Sequence, residues 1–210
     1  MRSLYNRLAG QNVERLAALS DGVFAVAMTL LVLDLRAPAA EVVHSERELL
    51  AALASLAPRL VPYFMSFLTL GIFWLGQQAQ LDRLAKSDRD LAWMHVGFLC
   101  AVCLVPFSTA LLAEFLTYRS ALLVYWGNIL VLGLVLLLTW RHTVRARLVR
   151  DDTTPAMVAA ICRRIVIAQA LYAVGAALCA ISTYWSIAFI VLIQLNYALA
   201  PPWPARRRES

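Results

Sequence analysis

Long apolar runs separated by short polar punctuation organise this chain. A helix that crosses the hydrocarbon core of a bilayer needs about 20 mostly apolar residues. Six stretches reach or approach that length, at roughly 17–36, 49–78, 91–116, 121–141, 156–180 and 183–200. The connections between them are short. The longest are the acidic segment 37–48, APAAEVVHSERE, and the basic segment 141–155, RHTVRARLVRDDTTP. Pro155 stands where a helix would start, behind the capping types Asp151, Asp152, Thr153 and Thr154. No soluble domain and no second copy of the opening motif is evident. The pattern predicts an all-α integral membrane protein, with residues 1–210 forming one six-span domain.

Composition strengthens that reading. The chain is 61% hydrophobic and 15% charged, against about 45–50% and about 25% in soluble domains. The first apolar run follows a charged segment, as in a signal peptide. It lacks a small-residue cleavage site and more runs follow, so it should stay attached. Of the 19 lysines and arginines, 15 fall on one side of the six runs and 4 (Arg36, Arg47, Arg59 and Arg119) on the other. The positive-inside rule then places both termini in the cytoplasm, as an even number of spans requires. The net charge of +6 is therefore a topology signal with contacts to anionic lipid, and no nucleic-acid partner is expected.

Several chemistries lose support. Cys100 and Cys103 form a C-x-x-C, and Cys162 and Cys179 complete the cysteines. All four sit in apolar stretches without a second ligand pair, so they read as small helix residues. His44, His95 and His142 are scattered without metal-ligand spacing. No metal and no cofactor is expected. Ser66, Ser108, Ser182 and Ser186 lack a His or Lys partner at membrane depth, which argues against an enzyme. Asp21, Asp34, Arg36, Arg59 and Glu114 fall near span ends. A coupled transporter commonly needs a carboxylate or broken helices at the midplane. No Gly-rich filter of the T-V-G-Y-G kind occurs, so any ion path must be lined by side chains.

The first run, LSDGVFAVAMTLLVLDL (residues 19–35), offers such a lining. At about 100° per residue, Gly22, Val26, Leu30 and Leu33 form one narrow stripe, flanked by Val23 and Thr29. Copies of this helix around an axis would stack rings of Val26, Leu30 and Leu33, with Thr29 hydroxyls beside them. Hydrophobic necks of this kind can gate by dewetting. The same stripe also suits lipid contact or packing, and the Thr29 hydroxyl can bond back to its own helix. Asp21 points away from the stripe, and Asp34 lies to its side.

The segment ERLAALSDGVFAVAMTLLVLDLRAP, Glu14 to Pro38, resembles the first helix of the transmembrane protein 175 potassium channels. That family carries Arg-x-x-x-Phe-Ser-Asp, then Gly-hydrophobic-Phe-Ala and Met-Thr-Leu-Leu. Arg15, Ser20, Asp21 and Gly22 fit, and Leu19 stands in the phenylalanine position. SFLTLGIFWLGQQ, Ser66 to Gln78, resembles the family's second helix with Trp74 in place, and Gln77 and Gln78 stand where bacterial members often carry histidines. VPFSTALLAEF, Val105 to Phe115, resembles a third family stretch, with Ala113 and Phe115 replacing glycine and tyrosine.

The resemblance implies a six-span subunit, a homotetramer and a pore lined by the first helix. It puts the constriction on Val26, Leu30 and Leu33 and a selective threonine layer on Thr29. It makes Arg15, Ser20, Asp21, Gly22 and Trp74 structural signature residues that tie the end of the first helix to its neighbours. Val26 is smaller than the Leu or Ile common there, which implies a wider neck. The expectation is a passive potassium-permeable channel of the inner cell membrane, with modest preference over sodium. Its partners are potassium ions, lipid and copies of itself. A proton- or ion-coupled transporter and a non-conducting membrane scaffold are the competing readings.

Overall fold

The computed structural model describes residues 12–199. Residues 1–11 and 200–210 lie outside them. With those residues go the five terminal arginines of the charge count and the last residue of the sixth expected span.

The described chain is helical throughout, apart from one isolated β-bridge. Helix α1 spans Val13–Leu30, and its first turn is capped by the Asn12 side chain, which accepts from the Arg15 N–H at 3.1 Å. It tightens into a 3₁₀ turn at Leu31–Asp34. There follow α2 (Glu46–Ser55), α3 (Ala57–Leu81), α4 (Arg89–Cys103), α5 (Val105–Glu114), α6 (Arg119–Arg145), α7 (Pro155–Ala177) and α8 (Thr183–Leu199). Ser45 caps α2, Asp88 caps α4 and Thr154 caps α7.

The expected run 49–78 is two helices. Pro58 has no N–H to give Ala54, and its ring would clash with that carbonyl, so the chain breaks at Leu56 and α3 begins afresh. Pro106 acts in the same way at Leu104, dividing the expected run 91–116 into α4 and α5. Hydropathy averages over both breaks, whereas the backbone does not. Five helical stretches among the described residues are long and apolar enough to cross a membrane: Val13–Asp34, Ala57–Leu81, Arg89–Glu114, Arg119–Arg145 and Pro155–Ala180. Thr183–Leu199 is apolar but shorter.

Helix α3 packs against α5 and α8, α6 against α4, α5 and α7, and α1 against α3 and α4. Leu31, Met65, Leu70, Phe98, Leu122 and Ile129 are buried in the common core. A polar knot fastens its middle. The Tyr125 hydroxyl lies 3.0 Å from Thr69 Oγ1 and accepts from Ser66 at 3.3 Å; Thr109 donates to Ser66 at 2.6 Å and Gln194 to Thr69 at 2.7 Å. Hydrogen bonds between helices of this kind replace the hydrophobic drive that lipid does not supply.

The two ends of the bundle differ. At one, the loops after α3 and α6 pair: Ala85 N–H donates to the Leu148 carbonyl at 2.9 Å and Arg150 N–H to Arg83 at 2.8 Å. That end gathers Arg83, Lys86, Arg89, Arg145 and Arg147. At the other, Arg59 pairs with Glu114 at 2.6 Å and Arg119 donates to the Ala180 carbonyl at 3.0 Å.

Candidate functional site

Helix α1 has two apolar faces with different fates. Leu16, Ser20, Phe24, Ala27 and Leu31 recur every three or four residues and are buried against α3 and α4. On the other side Val26, Leu30 and Leu33 are 58%, 43% and 67% exposed. A Cβ added at Gly22 would meet nothing within 4 Å, so this side of the first turns is open as well. The stripe of Val26, Leu30 and Leu33 is thus an apolar face that no described element covers.

The 3₁₀ turn sharpens the stripe. On an α-helix Leu33 would stand about 60° from Leu30, whereas 3₁₀ winding eclipses residues three apart. Leu31–Asp34 takes that winding, which brings Leu33 close to the azimuth of Leu30. Thr29, also exposed, donates its hydroxyl proton to the Val26 carbonyl at 2.8 Å. The proton is used inside the helix, and the oxygen keeps a lone pair for an outside partner.

The buried face is fixed by a hydrogen-bonded anchor. His95 Nε2 lies 3.0 Å from the Leu16 carbonyl, so that nitrogen carries the proton. The Ser20 hydroxyl sits 2.9 Å from the same nitrogen, and Gln77 Nε2 sits 3.3 Å from Nδ1. One turn away, Asp21 Oδ1 accepts from Trp74 Nε1 at 2.8 Å and from Gln78 Nε2 at 2.7 Å. The glutamines that depart from the family pattern therefore both face this anchor. Arg15 does not. Its guanidinium is exposed and bonds to no described residue, so the resemblance's role for it has no counterpart in these contacts.

His95 escaped the sequence reading as a member of the anchor, and Gln77 entered it only as a departure from the family pattern that weakens this network. The available signal was the register of α4, where Leu91, His95, Phe98, Leu99 and Val102 share the buried face. A polar residue in such a stripe needs a partner. Its partner Ser20 lies 75 positions away, which no local pattern reveals.

Asp34 lies beside the stripe in a polar recess of about 720 Å³ that also holds Arg36, Arg59 and Glu114. Among the described residues, Asp88, Asp90 and His142 bring candidate metal ligands within 4.8 Å of one another. Asp88 is already engaged as the cap of α4 and by His142 at 3.2 Å, which accounts for its place.

Replacing Trp74 by phenylalanine removes one of two donors to Asp21 and keeps the aromatic packing. The expected cost is about 0.6 kcal/mol, the mean for interhelical hydrogen bonds in membranes. Thermal unfolding of the purified protein in detergent checks it, and an unchanged melting temperature would show that the bond contributes nothing.

Comparison with known proteins follows the same residues. The family described as "Endosomal/lysosomal potassium channel TMEM175" matches residues 15–106. A potassium channel from Chamaesiphon minutus is 33% identical over 189 residues, covering 88% of this chain and 93% of its own. A potassium channel from Streptomyces collinus is 32% identical over 202 residues, covering 93% and 97%. The crystal structure of a lysosomal potassium-selective channel TMEM175 homologue from Chamaesiphon minutus superposes with a TM-score of 0.76 at 32% identity, over 90% of this chain and 97% of that one.

Proposed function

Because this chain belongs to the TMEM175 family, we propose that it is a potassium-permeable channel in which copies of α1 surround the pore. The subunit has six spans, α8 being the shortest, and lies in the inner membrane with both termini cytoplasmic. Four subunits close the ring, as the family resemblance implies. Val26, Leu30 and Leu33 form the neck, and Thr29 supplies the oxygen layer beside it.

The observation that carries the reading is the uncovered apolar face of α1 opposite a fully packed one. An isolated subunit leaves Val26, Leu30 and Leu33 without protein partners, and a ring of copies gives that face an axis to line. Thr29 adds an oxygen whose proton is already committed to Val26, the state in which a hydroxyl best faces a cation. Conduction is passive. A coupled carrier would need a carboxylate free to load and unload, and two candidates are tied: Asp21 by Trp74 and Gln78, Glu114 by Arg59.

The test is the bi-ionic reversal potential of purified protein in planar bilayers, wild type beside Thr29→Ala. The wild type should favour potassium over sodium by about fivefold, and the variant should bring the ratio near one, a loss of about 1 kcal/mol. A variant that keeps the full preference would remove Thr29 from the selective site. Silence in both, from folded and assembled protein, would overturn the channel reading itself.

A further inference from the structure

Helix α7 is the least covered of the long helices. Only 6% of its most apolar stretch is buried. It nevertheless carries two adjacent arginines, Arg163 and Arg164, inside an apolar sequence, between Ile161–Cys162 and Ile165–Ile167, and of the two it is Arg164 that faces α8. An arginine in a candidate span is costly without a partner. Among the described residues Arg164 has no carboxylate partner, and its guanidinium lies 5.8 Å from the ring centre of Tyr197 on α8. The cation is therefore held at one place on the surface, with its charge unanswered.

Below it the bundle is not closed. A cavity of about 100 Å³ runs between α3, α6, α7 and α8, and both Arg164 and Tyr197 line it. Ile72 and Phe73 on α3, Leu136 on α6 and Ile165 on α7 make its walls apolar. Gly76 and Ala168, facing it from α3 and α7, keep it open by having little side chain. Gln169 and Tyr172 add polar atoms to the lining. Gln169 lies against Gly133, where even a methyl group would collide with its amide, and donates Nε2 to the Ile129 carbonyl at 3.4 Å. This leaves Gln169 Oε1 buried and without a donor.

We propose that this cavity seats a few methylenes of one acyl chain of an anionic phospholipid whose phosphate is held by Arg164, the rest of the chain running out into the bilayer. Arg164 faces the leaflet on the basic side of the bundle, where anionic headgroups and unpaired arginines attract. A long arginine side chain carries its guanidinium toward the headgroup level while its stem lies along hydrocarbon. Beside and below it the lining contributed by Ile72, Phe73, Leu136 and Ile165 is apolar, as a hydrocarbon chain requires.

Native mass spectrometry of the purified full-length protein tests this, with equal phosphatidylglycerol and phosphatidylcholine of the same acyl chains. The wild type should retain phosphatidylglycerol in preference. Arg164→Gln should cut that retention about fivefold, the effect of one basic residue near an anionic headgroup. Gly76→Leu, which keeps the arginine and fills the cavity, should cut it to a similar degree, and Ala168→Leu repeats the filling from the opposite wall should Gly76→Leu fail to fold. Arg141→Gln, on the same basic side but away from the cavity, should leave it unchanged. Soluble glycerol 3-phosphate should not compete, since it has no chain to seat. Wild-type retention in both Arg164→Gln and the folded cavity-filling variant would overturn the proposal. So would loss with Arg164→Gln alone, which would reduce the site to a surface charge, or displacement by glycerol 3-phosphate.

Discussion

Replacing Leu30 with asparagine raises the single-channel potassium conductance of the reconstituted protein about tenfold, a barrier lowered by about 1.4 kcal/mol. A potassium ion that enters a ring of leucine side chains sheds water and receives no oxygen in return, and a short dry neck of this kind resists wetting. In the proposed pore Leu30 is the middle of the three stripe residues. The 3₁₀ turn brings Leu33 nearly above it, and Val26 lies one turn away on the same face. An amide in place of Leu30 introduces carbonyl oxygens and wets the middle of three apolar layers, while Val26 and Leu33 still narrow the path. That is why the gain is a factor of ten and not the removal of all resistance. Leu138, 55% exposed on α6, serves as the control, since Leu138→Ala changes a lipid-facing side chain and should leave conductance alone. Equal conductance in wild type and Leu30→Asn would take the pore away from this face.

The contrast between the two faces of α1 was legible because it is local. A spacing of three or four residues decides which side chains share a face, and the same count separates Leu16, Ser20, Phe24 and Ala27 from Val26 and Leu30. Leu33 was less legible, because the count assumes α winding and the helix tightens after Leu30. The breaks at Leu56 and Leu104 were written in Pro58 and Pro106, but a hydropathy window gives a proline no more weight than any other residue. What lay beyond reach was pairing at a distance. Tyr125 meets Ser66, Thr69 and, through Thr69, Gln194 only after three helices assemble. Each of those residues alone reads as a tolerated polar position in an apolar helix. The glutamines at 77 and 78 make the point from the other side. As departures from a motif they read as a weakened network, yet an amide offers an N–H where it is needed. Gln78 reaches Asp21 and Gln77 reaches His95, so chemical capacity, and not residue identity, decides what the anchor tolerates.

The anchor also determines the second large effect, the loss of His95. His95→Ala should destabilise the protein by about 3 kcal/mol, several times the effect of Trp74→Phe, because three costs coincide. The Ser20 hydroxyl, fully buried, loses its nitrogen partner. The Gln77 amide loses the acceptor of its N–H while its own oxygen already lacks a donor. The imidazole itself, 2% exposed, leaves a hole beside a cavity of about 20 Å³ that Gln77, Gln80 and Phe98 already line. Single interhelical hydrogen bonds in membranes average only about 0.6 kcal/mol, so the bonds alone would not reach this figure, and the unsatisfied groups and the void make the difference. Since α1 has one packed face and one open one, its first turns rest on Leu16, on the Asp21 bonds and on His95, and loosening one of these displaces Val26 and Thr29 with them. His95→Ala should therefore lower the melting temperature in detergent and also weaken potassium preference, although residue 95 lies off the stripe of Val26, Leu30 and Leu33. His95→Gln, which can present an N–H toward Leu16, should recover part of both. A variant that loses stability yet keeps wild-type selectivity would show that the pore stripe is positioned by contacts between subunits and not by this anchor.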